Sequence, residues 1–313
     1  MPAQPAAVER VELTKEERRH LSKGARAERK LGFMLIAPSV IVMLAVAGAP
    51  MGYAIYLSFN RYDLRFPHLA RWIGFANYST VLENSFWWRA FLITVIITVV
   101  SVVIEFVLGM AFALVMHRTL VTRGLIRTFI LIPYGLVTVI AAFGWQYAWT
   151  PGTGYLANLF GRNHAPLTHT FTAVILIILA EVWKTTPFMS LLLLAGLALV
   201  SEDLLKAATI DGATAWQRFT RVILPLMKPA ILVALLFRTL DAFRIFDNIY
   251  VMTGGANNTG SVSILAYDNL FTGLNLGIGS TISVLIFICV GIIAFLFVKF
   301  FGAAAPGSDL EES

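Results

Sequence analysis

Six long apolar runs dominate this chain, and a run of roughly twenty such residues crosses about 30 Å of hydrocarbon as a helix. The first covers 31–59 and carries no charge. The second, 90–116, holds only Glu105, and the third, 125–149, has Arg127 at its edge. The fourth, 171–200, contains Glu181 and Lys184. The fifth, 230–252, holds Arg238, Asp241, Arg244 and Asp247, and the sixth, 278–298, holds no charge. Backbone polar groups must be satisfied internally in lipid, so each run is expected to be a helix. A membrane barrel would show short alternating strands instead. Charged residues make up 13% of the chain, against about 25% in soluble domains, which excludes an ordinary soluble fold. The expectation is an all-α, polytopic membrane protein with one six-helix domain over 31–301, preceded by a basic segment, 1–30, and followed by a tail, 302–313.

Lys and Arg in the connections set the orientation. The first thirty residues carry Arg10, Lys15, Arg18, Arg19, Lys23, Arg26, Arg29 and Lys30. Arg118 and Arg123 lie between the second and third runs, and Lys206, Arg218, Arg221 and Lys228 between the fourth and fifth. The third-to-fourth connection has only Arg162, and 253–277 has no basic residue. Arg61, Arg65, Arg71 and Arg89, after the first run, are the exception to this alternation. The best fit puts both termini and the 201–225 loop in the cytoplasm of a cell-membrane protein. The net charge of +6 follows this topology and is no sign of nucleic-acid binding. The apolar run starts too late, and is too long, for a cleavable signal. Residues 8–30 read either as a surface helix near acidic headgroups or as a solvated tail.

Between the fourth and fifth runs lies a small polar island. It reads Lys206, Ala207, Ala208, Thr209, Ile210, Asp211, Gly212, Ala213, then Phe219, then Ile223, Leu224 and Pro225. The pattern predicts a short helix, a turn at Asp211-Gly212 and a second short helix. Gly tolerates positive φ, and Asp bonds nearby backbone. Ala207 and Ala208 have almost no side chain, so another surface can approach them closely. Pro225 lacks an N–H and suits the first turn of the helix that follows.

The island resembles the coupling loop of type I ABC importer permeases, which docks on the ATPase subunit. That family usually opens the pattern with Glu-Ala-Ala; here the first position is Lys206. Further resemblance lies in Ala37-Pro38, Tyr56-Leu57-Ser58-Phe59 and Trp72-Ile73-Gly74-Phe75-Ala76-Asn77-Tyr78. It continues in Asp241-Ala242-Phe243-Arg244-Ile245-Phe246-Asp247 with Tyr250 and Thr253-Gly254-Gly255. These are similar to carbohydrate permeases of the maltose type, especially the first permeases of actinobacterial trehalose importers. The resemblance implies the type I permease fold and a disaccharide such as trehalose as cargo. It also implies a second homologous permease, two ATPase subunits holding ATP and Mg, and an extracytoplasmic sugar-binding protein. Residues Lys206, Ala207, Ala208, Asp211, Gly212, Ala213, Phe219, Leu224 and Pro225 would then form the ATPase contact.

Charged groups at bilayer depth are costly and usually face a cavity or a partner. Arg238, Asp241, Arg244 and Asp247 alternate in sign at steps of three, so each Arg is expected to pair with an Asp on its own helix. Glu181 and Lys184 repeat that spacing. Carboxylates, cations and aromatic rings such as Tyr250 suit an uncharged, polyhydroxylated ligand. Two readings stay open for each of Glu181, Lys184, Arg238, Asp241, Arg244, Asp247 and Tyr250: a lining of a sugar passage, or a structural contact between helices. Glu105 reads as a helix–helix hydrogen-bond partner.

The chain has no Gly-x-x-x-x-Gly-Lys-Ser/Thr loop, so ATP must be handled elsewhere. No metal motif or nucleophile–base spacing occurs, and no catalytic residue, metal site or cofactor of its own is expected. A gradient-driven secondary transporter and an intramembrane enzyme are the rival classes. No inverted repeat supports the first, and no convincing headgroup or metal cluster supports the second.

Overall fold

The computed structural model describes residues 30–118, 123–159 and 165–301. The basic segment 1–29, the tail 302–313 and Arg162 lie outside these residues, so the expectations for them rest on sequence alone. The chain divides into two compact units, Met1–Ala54 and Ile55–Ser313. Helix α1, Lys30–Ser58, runs through the boundary, and a π-turn at Leu44–Gly48 interrupts it within the first unit.

In the second unit, a two-stranded hairpin pairs β1, Asn60–Arg61, with β2, Arg71–Trp72. Arg65 holds the Asp63 carboxyl down at about 2 through a side-chain hydrogen bond in the connecting loop. Helix α2, Ala76–Glu83, follows. Its buried Asn77 donates to the carbonyls of Ser58 and Asn60, both at 2.9 Å. These carbonyls lie where the helix ends and its own ladder no longer reaches. Gly277, from the start of the last helix, presses against the same place: a Cβ there would lie 2.4 Å from the Asn60 carbonyl oxygen. The Phe59, Trp72, Phe75 and Tyr78 rings pack around it at centroid distances of 5.1–5.6 Å. The aromatic and Asn positions singled out in the sequence are therefore one hydrogen-bonded knot.

The remaining elements are α3, Ser85–Arg118; α4, Arg123–Gly135; α5, Thr138–Ala148; α6, Tyr155–Leu159; and α7, Thr170–Leu197. Then come α8, Glu202–Ile210; α9, Ala215–Arg218; α10, Leu224–Ala242; α11, Asp247–Met252; α12, Val262–Tyr267; and α13, Leu276–Phe301. Helix α7 is the centre of the unit. Its apolar window is 72% buried, against 11% for α13, so α13 keeps most of its apolar surface for lipid or another subunit. The longest interface runs between α3 and α7.

Two spans differ from the sequence expectation. The third is a broken pair, α4 and α5, bent by 92° at Leu136–Val137. Pro133 cannot donate to the preceding turn, Gly135 ends the helix, and Val137 is extended (φ −62, ψ 132). The fifth is also interrupted. Helix α10 stops at Ala242, and α11 restarts at Asp247 after Phe246 adopts φ −136, ψ −63. At its other end α10 is extended: α9, a π-turn at Phe219–Ile223 and α10 run without a break from Ala215 to Ala242.

Small residues set the closest helix contacts. Gly109 of α3 faces Met189, whose Cγ would be 2.8 Å from an added Cβ. Gly196 of α7 faces Ala230 of α10, where the added Cβ would sit 2.4 Å from the Ala230 Cβ. Backbones approach this closely in membranes only over such residues. Gly196→Val is therefore expected to destabilise the protein by about 1–3 kcal/mol through overpacking, seen as a lower unfolding midpoint of the detergent-purified protein. Gly291→Val, where a Cβ meets nothing within 4 Å, should leave that midpoint unchanged.

Candidate functional site

Three helices bring their charges to one point. Arg238 of α10 is fully buried. Its Nε donates to Glu105 Oε2, and its Nη2 to Glu105 Oε1 at 2.9 Å and to Glu181 Oε1 at 2.6 Å. Its Nη1 donates to Asp241 Oδ2 at 2.8 Å. Glu105, on α3, also accepts from Thr185 Oγ1 at 2.8 Å, and Glu181 Oε2 accepts from Asn248 Nδ2. A planar guanidinium has five N–H donors in a fixed fork, which lets one side chain serve three carboxylates. The expectation that Glu105 is an interhelical hydrogen-bond partner holds.

The intrahelical pairing expected of the fifth span holds only for Arg238 and Asp241. The break between α10 and α11 removes the helical register that would align Arg244 with its neighbours. Among the described residues neither Arg244 nor Asp247 makes an ion pair. Glu181 and Lys184 do not pair either. Glu181 turns to Arg238, while the Lys184 ammonium lies 5.4 Å from the centre of the Tyr134 ring. Tyr134 in turn stacks on Phe188 at 5.5 Å and 17°.

Beside the buried cluster opens a cleft of about 300 Å³. Glu181, Lys184, Asp241, Arg244 and Asp247 line it, with Tyr134, Asn248 and Phe246. Five of the seven residues expected along a passage thus share one cavity. Arg238 is not among the lining residues; it sits behind the wall and holds Glu181 and Asp241 in place. Tyr250 lies one ring outward, stacked on Phe246 at 5.2 Å and 17°. Lys184, Arg244 and Arg238 stand against Glu105, Glu181, Asp241 and Asp247, so cluster and cleft together carry one formal negative charge in excess and are rich in donors and acceptors. Thr185, Asn248 and Tyr134 were not singled out by sequence; their chemistry is common, and only the fold brings them here.

The 201–225 loop has the expected helix, turn and helix. Ser201 caps α8 by accepting from the Asp203 N–H at 3.3 Å. Gly212 takes φ +78, and the Ala213 N–H bonds back to Ala208 O at 2.9 Å. Thr214 and Gln217 form a reciprocal capping box that starts α9. Arg218 donates to Thr209 Oγ1 and so ties the two short helices together. Lys206 points to carboxylates of its own helix, Asp203 at 3.5 Å and Glu202 at 3.9 Å. Phe219 and Leu224 are half-buried against the Met189, Leu193, Leu197 and Met227 core and root the loop. Ala207, Asp211, Gly212 and Pro225 are exposed, and Ala208 and Ala213 half-exposed. Between them Ile210 is 86% and Trp216 71% exposed, two large apolar side chains to which the sequence assigned no contact role.

Residues 85–305 match the family described as binding-protein-dependent transport system inner membrane component. The trehalose transport system permease protein SugA of Mycobacterium tuberculosis is 65% identical over 283 residues, 90% of this chain and 92% of that protein. The trehalose/maltose transport system permease protein MalF of Thermococcus litoralis is 40% identical over 275 residues, 86% of this chain and 92% of that protein. A chain from the crystal structure of a bacterial ABC transporter involved in the import of the acidic polysaccharide alginate superposes with a TM-score of 0.77. At 23% identity, covering 91% of this chain and 99% of that chain, the likeness is one of fold.

Removing the cation from the buried cluster would leave three carboxylates facing one another. Arg238→Met is expected to cost about 3–5 kcal/mol, seen as loss of monodisperse protein in size-exclusion chromatography. Adding Glu105→Gln should restore part of it. Arg244→Met, which alters the cleft alone, should leave the chromatographic profile intact.

Proposed function

The chain belongs to the family of inner-membrane components of binding-protein-dependent transport systems, and we propose that it forms half of the passage of an ATP-driven importer whose cargo is a neutral disaccharide, trehalose. It is a multi-pass membrane permease subunit. The observation that carries the cargo reading is the cleft: Arg244 and Asp247, without an ion pair among the described residues, join Lys184, Glu181 and Asp241 in offering charged partners of both signs to hydroxyl groups. Charge-assisted hydrogen bonds to hydroxyls are strong, and a site with no positive excess does not favour an anionic solute. The trehalose-transporting relatives at 65% and 40% identity support the same class.

In this reading both termini and the 201–225 loop are cytoplasmic. A second permease completes the passage, two ATPase subunits hold ATP and Mg, and an extracytoplasmic binding protein delivers the sugar. This chain supplies no catalytic group. Ala207, Ala208, Asp211, Gly212 and Ala213, flanked by Ile210 and Trp216, form a knob in a groove of one ATPase subunit. Large apolar side chains around a small-residue surface are what a tight protein contact uses. When nucleotide draws the ATPase subunits together, the knob moves. Because Ala215–Ala242 is one continuous helical rod, the motion passes to Arg238 and to the break at Phe243–Phe246, where the cleft begins. Two packings biased by nucleotide would open the cleft alternately to each side. A gradient-driven carrier would have no use for such a knob.

Gly212→Val should tell. At φ +78 a β-branched residue is strained, so the turn would reshape while the spans insert normally. ATP-dependent uptake of labelled trehalose by the reconstituted complex should fall at least about tenfold, equivalent to roughly 1.4 kcal/mol of lost coupling. Normal uptake by this variant would remove the coupling role, and uptake driven by an ion gradient without ATP would remove the ATP-driven reading.

A further inference from the structure

Two aromatic pairs recur at a spacing of four residues: Phe246, at the cap of α11, with Tyr250 on that helix, and Tyr267 with Phe271 from the end of α12 into the π-turn Asp268–Thr272. That spacing brings the members of each pair onto one face of a helix. The two pairs also meet each other. Phe246 stacks on Tyr250 at 5.2 Å and 17°, and Tyr250 meets Tyr267 at 5.2 Å and 70°. Tyr267 lies 5.2 Å from Phe246 as well, and 4.9 Å from Phe271. Four rings thus make one unbroken aromatic surface.

Its two ends differ. Phe246 lines the cleft beside Asp241, Arg244 and Asp247. At the other end Phe271 is 66% exposed, and Tyr250 in the middle is 46% exposed. Phe271 is kept outward by its neighbour. Leu270 is pressed so tightly on Gly279 of α13 that an added Cβ there would lie 2.5 Å from Leu270 Cγ, and adjacent helical residues diverge by about 100°. Rings that serve a core would be buried, and isolated interface anchors would not join end to end into a polar cleft.

We infer that Phe246, Tyr250, Tyr267 and Phe271 form a stacking track for a pyranoside, with Tyr267 and Phe271 as its outer, previously unassigned half. This rests on the sugar-importer reading given above. Aromatic faces suit the apolar C–H face of a sugar ring, and stacking lacks the fixed direction of a charge-assisted hydrogen bond. A cargo can therefore pass from ring to ring before the charged groups of the cleft hold it.

The test uses the whole importer in proteoliposomes, with second permease, ATPase subunits and binding protein, and measures ATP-driven uptake of radiolabelled trehalose. The double variant Tyr267→Leu/Phe271→Leu keeps bulk and apolarity but removes the π faces. Its apparent KM should rise about fivefold to tenfold, and the ring-preserving pair Tyr267→Phe/Phe271→Tyr should behave as wild type. Wild-type KM in the leucine pair would overturn the track, as would equal impairment of both pairs. Asp247→Ala, in the cleft, is measured in parallel. If it abolishes uptake while the leucine pair is normal, the track fails and the cleft reading stands. If the wild-type complex imports neither trehalose nor maltose, the sugar reading fails and takes the track with it.

Discussion

A guanidinium cannot be stripped of water inside a bilayer unless nearly every N–H finds an acceptor, and Arg238 meets that condition by drawing on three helices at once. Glu105 comes from α3, Glu181 from α7 and Asp241 from its own helix. Without it the buried carboxylates of Glu105 and Glu181 would face each other with no cation between them. Its effect on the rest is positional. It ties α10 to the central helix α7 just before the break at Phe243–Phe246. The break in turn frees Arg244 and Asp247 from helical pairing and gives the cleft its unpaired charges.

The second constraint is close packing without side chains. Gly109 against Met189 and Gly196 against Ala230 let α3, α7 and α10 approach backbone to backbone. In a membrane, where apolar surface alone gives no reason to associate, such contacts supply dispersion and geometry. They flank the charged cluster on the side of the 201–225 loop, so the rod from Ala215 to Ala242 is held at one level by polar bonds and at another by contact of small residues.

Much of this was legible in the sequence. Runs of apolar residues marked the spans, five long helices among the described residues and a sixth if the bent pair α4–α5 is one span, and the Ala-Ala, Asp-Gly and Pro signals gave the loop's helix–turn–helix with its positive-φ glycine. The residues of the cleft were visible as charges at forbidden depth. What the sequence could not convey was which charges meet. Arg238 and Glu105 are separated by 133 positions and Arg238 and Glu181 by 57, so local spacing favoured partners on the same helix, of which the structure uses only Asp241. The breaks were hidden for a related reason. Pro133 and Gly135 hint at one, but Ala242–Asp247 contains neither Pro nor Gly, and its interruption comes from tertiary demands such as Ser261 bonding the Ile245 carbonyl at 2.8 Å. Ile210 and Trp216 were given no contact role because an apolar residue next to a membrane segment is unremarkable until its exposure is seen.

The π-turn at Phe219–Ile223 has a consequence for angular timing. Such a turn carries one residue more than the surrounding spiral needs, so everything beyond it is advanced by about 100°. The rod therefore carries a phase as well as a length: were the surplus residue annealed into ordinary α-helix, the guanidinium would swing out of its nest while the knob stayed where it is.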